Sequence, residues 1–353
     1  MLVHSDSAFD DERLASWLGE ILGVSVDART MVLKRPQGGG WSNDTVFVDP
    51  DGRGADRLVV RLAPTGPAMF PHYDLTRQWV VMQELAAATS VPVPPVLGVD
   101  ADGTQLGRPG FVMGFVEGRV PADDRPSFAE SGFLYEASPG QQRVFHTSLI
   151  DAIVAVHRTP LTDRLIPLLS SDHRSTNGAL DELRRTWHFD RGERWSPVID
   201  DALDVLRGSV PAPRADVLLW GDARPANVIV ASDGYRPVAL VDWELATIGP
   251  PELDVMWLAE MNRMRMEGSG VSPLPSFLDD VEAVSHYERR SGRSLGDLDW
   301  YRLFAAVRVA VLMHRHLRVM VHIGRLPADH RLLTDTNAVR RVAALLEATP
   351  VPH

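Results

Sequence analysis

Asp222, Asn227 and Asp242 stand at the ends of short apolar runs, and together they hold the side chains that a phosphoryl transfer needs. Asp222 and Asn227 are five positions apart (227 − 222) in Gly221-Asp-Ala-Arg-Pro-Ala-Asn227. Asp242 closes the run Val238-Ala-Leu-Val241, fifteen positions beyond Asn227 (242 − 227). The turn residues Ser232-Asp233-Gly234 predict a hairpin that folds this second run back and sets Asp242 beside Asn227. Phosphoryl transfer asks for one carboxylate that orients an acceptor hydroxyl and takes its proton. It also asks for hard oxygen ligands to magnesium, whose other ligands are phosphate oxygens and water. Asp222 suits the first task, Asn227 and Asp242 the second. Taken singly, an Asp or Asn at a strand end is a turn or cap residue. The five-residue step, the hairpin and the closing Asp-Trp-Glu together reproduce the spacing of kinase catalytic loops.

Such residues need a scaffold, and periodicity supplies its outline. Leu14, Trp17, Leu18, Ile21 and Leu22 predict a helix over 8–23. Strands are expected at 31–33, 45–48 and 58–62, then a helix over 74–88 ended by Val91-Pro-Val-Pro-Pro95. A strand pair, 96–99 and 111–115, follows around the turn Asp102-Gly103. Beyond about Gly118 the pattern turns helical, over 143–157, 196–210, 253–267, 277–291 and 298–321, with strands only at 217–220, 228–230 and 238–241. The expected class is α+β: a small antiparallel-sheet lobe with a helix, then a larger, mainly helical lobe. The boundary is expected at 117/118, giving units 1–117 and 118–353 with a hinge at about 111–118. Residues 121–140 read as a long loop of the kind that often carries function.

Trp220-Gly-Asp-Ala-Arg-Pro-Ala-Asn227 and Val241-Asp-Trp-Glu-Leu-Ala-Thr-Ile-Gly-Pro-Pro-Glu-Leu-Asp254 resemble the aminoglycoside-phosphotransferase superfamily. They are most similar to its branch fused to acyl-CoA dehydrogenase in some eukaryotes. The resemblance implies a bilobal, protein-kinase-like fold using ATP and Mg2+, with Asp222 as the base and a small-molecule hydroxyl as acceptor. It casts Gly38-Gly-Gly-Trp-Ser-Asn-Asp-Thr45 as a phosphate-covering turn. Gly39 and Gly40 would offer backbone N–H groups, and Ser42, Asn43 and Thr45 side-chain donors. On the residues alone, such a turn equally closes a hairpin. Arg61 stands where the family carries the cation for the α- and β-phosphates, a surface strand Arg being the plain alternative. The helix Glu that normally pairs with this cation is replaced by Gln78, which implies a neutral hydrogen bond, while Glu84 faces elsewhere. The stretch 111–118 resembles the hinge, with the backbone of Gly114 and Val116 reading a purine edge. Arg224 replaces a His of the wider superfamily. It either steadies charge on the transferring phosphate or forms a salt bridge with Asp222. Asp254 is expected to anchor the catalytic-loop backbone from a helix start.

Composition narrows the field. A net charge of −11 argues against nucleic acid as a partner. No apolar run approaches the roughly 18 residues of a membrane span. The polar start, Met1 to Glu12, lacks the pattern of a secretory signal, so a cytoplasmic location is the simplest expectation. Without cysteine there is no disulfide or thiolate chemistry, and His314 and His316 fall on different helical faces rather than in a zinc motif. The acceptor stays open. An acidic stretch over 251–300 suits a cationic, aminoglycoside-like molecule. The Arg302, Arg308, Arg315 and Arg318 helix suits an anionic, hydroxyacyl-CoA-like one, and either face is also read as merely solvated. Gln78 keeps a second function in play, a nucleotide-binding pseudokinase with a regulatory or scaffolding role. A metal-dependent hydrolase built on the same carboxylates is the third.

Overall fold

The computed structural model describes residues 10–35, 43–54, 57–67, 69–169, 175–270, 274 and 276–348. The small lobe opens with α1 (Asp11–Leu22), started by the Asp10 carboxylate, which accepts the Glu12 and Arg13 N–H groups, and stopped by Gly23 in the left-handed conformation. Then come β1 (Val32–Lys34), β2 (Asp44–Asp49), β3 (Leu58–Leu62), α2 (Leu75–Ala88), β4 (Val96–Asp100) and β5 (Gly110–Gly114). The strands form one antiparallel sheet in the order β1-β2-β3-β5-β4. Side chains alternate across β3. Leu58, Val60 and Leu62 pack with Leu14, Trp17 and Leu18 of α1. Val59 packs in a second core with Val81, Met82 and Leu85 of α2. Arg61 lies two residues from Val59 and so shares its face, the one turned from α1. That core continues into the large lobe through Phe145, Trp220 and Trp243, so one apolar body backs both sides of the cleft.

The large lobe contains α3 (Pro139–His157), α4 (Leu165–Leu169), α5 (Ser175–His188), α6 (Pro197–Gly208), β6 (Val217–Leu219), β7 (Val228–Val230), β8 (Pro237–Leu240), β9 (Thr247–Gly249), α7 (Glu252–Ser269), α8 (Asp280–Ser291), α9 (Leu298–His322) and α10 (Asn337–Ala348). The hairpin read from Ser232-Asp233-Gly234 is β7–β8, with Val228 opposite Leu240. One step beyond it, the Val241 N–H donates to the Asn227 carbonyl at 3.0 Å. The α8 start falls at Asp280 rather than 277, because Asp279 and Glu282 cap each other's backbone N–H groups and fix the first turn there. Phe277 is released to stack beside Phe128, Phe145 and His146. The methionines Met256, Met261 and Met266 are core. None of the described helices is long and apolar enough to cross a membrane.

Candidate active site

The candidate catalytic segment is a tight passage between β6 and a short 3-10 turn at Pro225–Asn227. Gly221 sits at φ 84, and a Cβ there would collide with the Leu245 carbonyl oxygen, so only glycine passes. Asp254, in the first turn of α7, holds this backbone as expected. Its carboxylate accepts the Trp220 N–H at 2.7 Å and the Gly221 N–H at 2.9 Å. His157 Nε2 lies 3.1 Å from the same carboxylate, with its Nδ1 2.7 Å from the Tyr287 hydroxyl.

The anchored loop delivers a buried Asp222. Its Oδ1 accepts the Trp257 indole N–H at 2.9 Å. Its Oδ2 accepts Arg224 Nε at 2.8 Å and Asn227 Nδ2 at 2.7 Å. Arg224 Nη1 donates in turn to Asp123, whose other oxygen takes Arg265 Nη2 at 2.6 Å. Burial works to lower the Arg224 pKa. The adjacent Asp222 and Asp123 carboxylates outweigh it and hold the guanidinium protonated well above its ordinary range.

Asp242 adopts a left-handed backbone, φ 63, uncommon for a residue with a Cβ and a conformation that clusters at functional sites. Its Oδ1 accepts Arg61 Nη2 at 2.9 Å. The expected Arg61–Gln78 hydrogen bond does not form, because a carboxylate outcompetes a neutral amide for a guanidinium. Glu84 is elsewhere, bonded to Thr162 and Arg164. Asn43 Nδ2 donates to Glu244 at 2.6 Å, so this side chain ties the lobes together rather than standing free. Thr45 sits opposite Arg61 in the β2–β3 register. The Gly114 N–H is spent on the Pro95 carbonyl at 2.8 Å. Gly39, Gly40 and Ser42 lie outside the described residues.

Beside the loop opens a cavity of about 1090 Å³, bordered by Tyr73 and Gln78 of the small lobe and by Gly221, Glu244, Leu253 and Arg308 of the large lobe. The Arg308 guanidinium stacks 4.4 Å from the Trp257 ring centroid. It makes no hydrogen bond or ion pair among the described residues, and burial lowers its pKa. Its fellow arginines on α9 are occupied: Arg302 by Asp299 and Asp280, Arg315 and Arg318 by Asp190. Sequence reasoning missed Trp257, Asp123 and the distinct position of Arg308. Trp257 had a signal: it lies three residues after Asp254, hence on the same helix face. Asp123 had none.

The sequence pattern of the phosphotransferase enzyme family (APH) matches residues 34–295. The chain belongs to the phosphotransferase enzyme family. It is 27% identical over 260 residues to acyl-CoA dehydrogenase family member 10 of Mus musculus, covering 72% of this chain and 22% of that protein. It is 25% identical over 257 residues to family member 11 of Rattus norvegicus, covering 71% and 31%. The chain thus spans no more than about a third of these relatives' length. Among solved structures, a protein of Ralstonia eutropha provisionally assigned as an aminoglycoside phosphotransferase superposes with TM-score 0.69 at 23% identity over 96% of both chains. A macrolide 2'-phosphotransferase type I gives 0.64 at 16% identity over 96% of this chain and 100% of that one. An ethanolamine kinase of Plasmodium vivax gives 0.58 at 12% over 90% and 83%. These likenesses show the bilobal, protein-kinase-like fold.

Proposed function

We propose that the protein is an ATP- and Mg2+-dependent small-molecule kinase. The small lobe through residue 117 would hold the nucleotide, and residues 118–353 would carry the catalytic residues and acceptor cavity. The observation that carries this reading is the triply bonded Asp222 carboxylate, whose neighbour Gly221 borders that cavity. Each carboxylate oxygen has about two lone pairs. Oδ2 accepts from both Arg224 and Asn227, whereas among the described residues Oδ1 accepts from Trp257 alone. Oδ1 is therefore the atom left to take the acceptor hydroxyl proton. The hydroxyl oxygen then attacks the γ-phosphorus and ADP departs.

The donor set fits magnesium. Asn227 commits its amide nitrogen to Asp222 and keeps its carbonyl oxygen, and Asp242 commits Oδ1 to Arg61 and keeps Oδ2. Both are hard oxygens. Mg·ATP, when bound, supplies the phosphoryl group and neutralises charge on its β- and γ-phosphates. Arg61 would exchange Asp242 for a phosphate. A related fold holds ADP with hygromycin B, which supports nucleotide binding in this cleft. For the acceptor, Arg308 favours an oxygen-rich or anionic molecule over an ammonium compound. The same cavity also carries Asp74, Asp181, Glu182 and Glu244, so an aminoglycoside-like acceptor stays open beside an acyl-CoA-like one.

The test is calorimetric titration of Mg·ATP into wild-type and Asp242→Ala protein, with ADP release followed across alcohols, aminoglycosides and hydroxyacyl-CoAs. The kinase reading expects Mg-dependent binding that the substitution weakens, and ADP release stimulated by one acceptor class. Binding without any ADP release would instead make the protein a regulatory nucleotide-binding module. No binding at all would remove the nucleotide from its function.

A further inference from the structure

Residues 115–138 link β5 to α3 without a helix or strand of their own, yet they are pinned at several points. Arg119 exchanges two backbone hydrogen bonds of 2.8 Å with Val230, next to the catalytic loop. Its guanidinium lies over Phe133 and Tyr235. Phe128 stacks on Phe277, and Gln142 of α3 donates to the Leu134 carbonyl. Between these anchors, Asp123 arrives between two arginines from different parts of the large lobe, Arg224 of the catalytic loop and Arg265 of α7. The row Asp222–Arg224–Asp123–Arg265 alternates charge, and Arg224 is gripped from two edges, Nε by Asp222 and Nη1 by Asp123. Its third nitrogen, Nη2, makes no hydrogen bond among the described residues, and the Asp242 charge is within its electrostatic reach.

We propose that Asp123 and Arg265 are positioning residues that hold Arg224 off the catalytic lone pair of Asp222 and keep its Nη2 available to the transferring phosphate. Without them, Arg224 would face Asp222 alone. A guanidinium facing a single carboxylate closes onto it as a two-toothed pair. Here that closure would cover Asp222 Oδ1, the one oxygen with a lone pair to spare. Asp123 prevents it by drawing Nη1 the other way, and Arg265 fixes Asp123 so that it can. The long connection is then part of the catalytic apparatus. This inference rests on the kinase reading above.

The experiment follows ADP release from Mg·ATP with water as the acceptor, so no natural acceptor need be known. Asp123→Ala should lower kcat by roughly tenfold to a hundredfold at unchanged KM for ATP, the scale of a misplaced catalytic group. Arg265→Gln should do the same more mildly, and Asp123→Glu should recover most of the rate. The double variant Asp123→Ala/Arg224→Ala should be no slower than Arg224→Ala alone, because Asp123 acts through Arg224. Multiplying effects, or a wild-type kcat in Asp123→Ala, would overturn the assignment, as would a defect confined to KM. The side-chain N–H resonances of Arg224 in 15N-arginine-labelled protein give a reading that needs no turnover. Nε–Hε should stay protected in wild type and Asp123→Ala alike, whereas the Nη2 protons should exchange quickly in the wild type and slowly in Asp123→Ala as they close onto Asp222; an Nη2 left unprotected in Asp123→Ala would overturn the clamp. The expected Nη2 contrast in a protein that never releases ADP would mark failure of the kinase reading instead.

Discussion

Asp254→Asn isolates the anchoring of the catalytic loop. The wild-type carboxylate is 1% exposed and accepts the Trp220 and Gly221 N–H groups at 2.7 and 2.9 Å, with His157 Nε2 at 3.1 Å. An asparagine offers one acceptor oxygen and turns its NH2 toward an N–H or the imidazole, so at least one buried donor loses its partner. A hydrogen bond to a buried charge is worth about 1.5–3 kcal/mol, and an orphaned donor costs about 1–3 kcal/mol more. The expected destabilisation is about 3 kcal/mol for Asn, and about 5 kcal/mol for Ala, which orphans both backbone N–H groups. At about 2–4 °C per kcal/mol, Asp254→Asn should melt roughly 6–12 °C lower by calorimetry. The same loss should reach function, since Trp220 and Gly221 are the two residues before Asp222. Below the transition, kcat should fall roughly tenfold with KM for ATP nearly unchanged. A melting point within 2 °C of wild type, or a defect in KM alone, would refute the anchoring argument.

Arg308→Gln should raise KM roughly tenfold for anionic acceptors and leave ammonium-bearing ones unaffected, at equal Mg·ATP affinity; an equal fall in kcat for every acceptor would mean that Arg308 serves only to offset Asp222. Gly221→Ala forces a side chain into a left-handed backbone and onto the Leu245 carbonyl, which is backbone and cannot swing aside. It should cost more than about 3 kcal/mol in urea unfolding, and a near-wild-type midpoint would show that the loop can yield. Acid should destabilise the large lobe through His146, which burial holds neutral with its pKa down to about 3. Its Nδ1 accepts the Leu278 N–H at 2.8 Å. The unfolded chain binds this proton near pH 6.5 and the folded one does not, so stability should fall as pH drops from about 6.5 toward 3, by about 2 kcal/mol at pH 5. His146→Gln should flatten that part of the melting-temperature profile, and an unchanged slope would assign it to other groups.

Local chemistry was legible wherever the chain reports it locally. Asp222, Asn227 and Asp242 are read from a loop, a turn and a strand end within about twenty residues, and the structure brings these segments together through β7 and β8. The α+β division follows from periods of two and 3.6 that the small and large lobes keep separately. What stayed hidden depends on distance in the chain. Asp123 meets Arg224 across 101 positions, and no local pattern announces the meeting. The four arginines of α9 look alike in sequence, yet partners from other elements occupy three of them and leave Arg308 facing the cavity. Helix α5 was unmarked for a different reason: its first turn, Ser-Thr-Asn-Gly, reads as a loop, and packing rather than propensity holds it helical. Helix α10 does carry a readable stripe, Ala338, Val342 and Leu345.

The substitution of Gln78 for the usual helix Glu acquires a physical sense from what replaces it. In the expected arrangement a helix carboxylate would hold the β3 cation back from the metal-binding Asp. Here that restraint is absent, and Arg61 crosses the cleft to Asp242. Two neighbouring contacts bridge the lobes onto the same strip of chain: Asn43 to Glu244 and Arg77 to the Ala246 carbonyl. Farther along, Arg315 of α9 reaches the Met69 carbonyl. Three of the ties between the lobes thus converge on the 242–246 segment, while Glu84 joins Thr162 and Arg164 elsewhere. On the proposed kinase reading, an arriving nucleotide would dissolve one of these ties, since Arg61 cannot serve Asp242 and a phosphate equally. The energy of closure then becomes coupled to phosphate binding, because each phosphate contact made by Arg61 replaces a contact that held the cleft shut. A neutral Gln78 suits this exchange. A buried carboxylate at that position would compete with both partners for the same guanidinium and slow its transfer from one to the other.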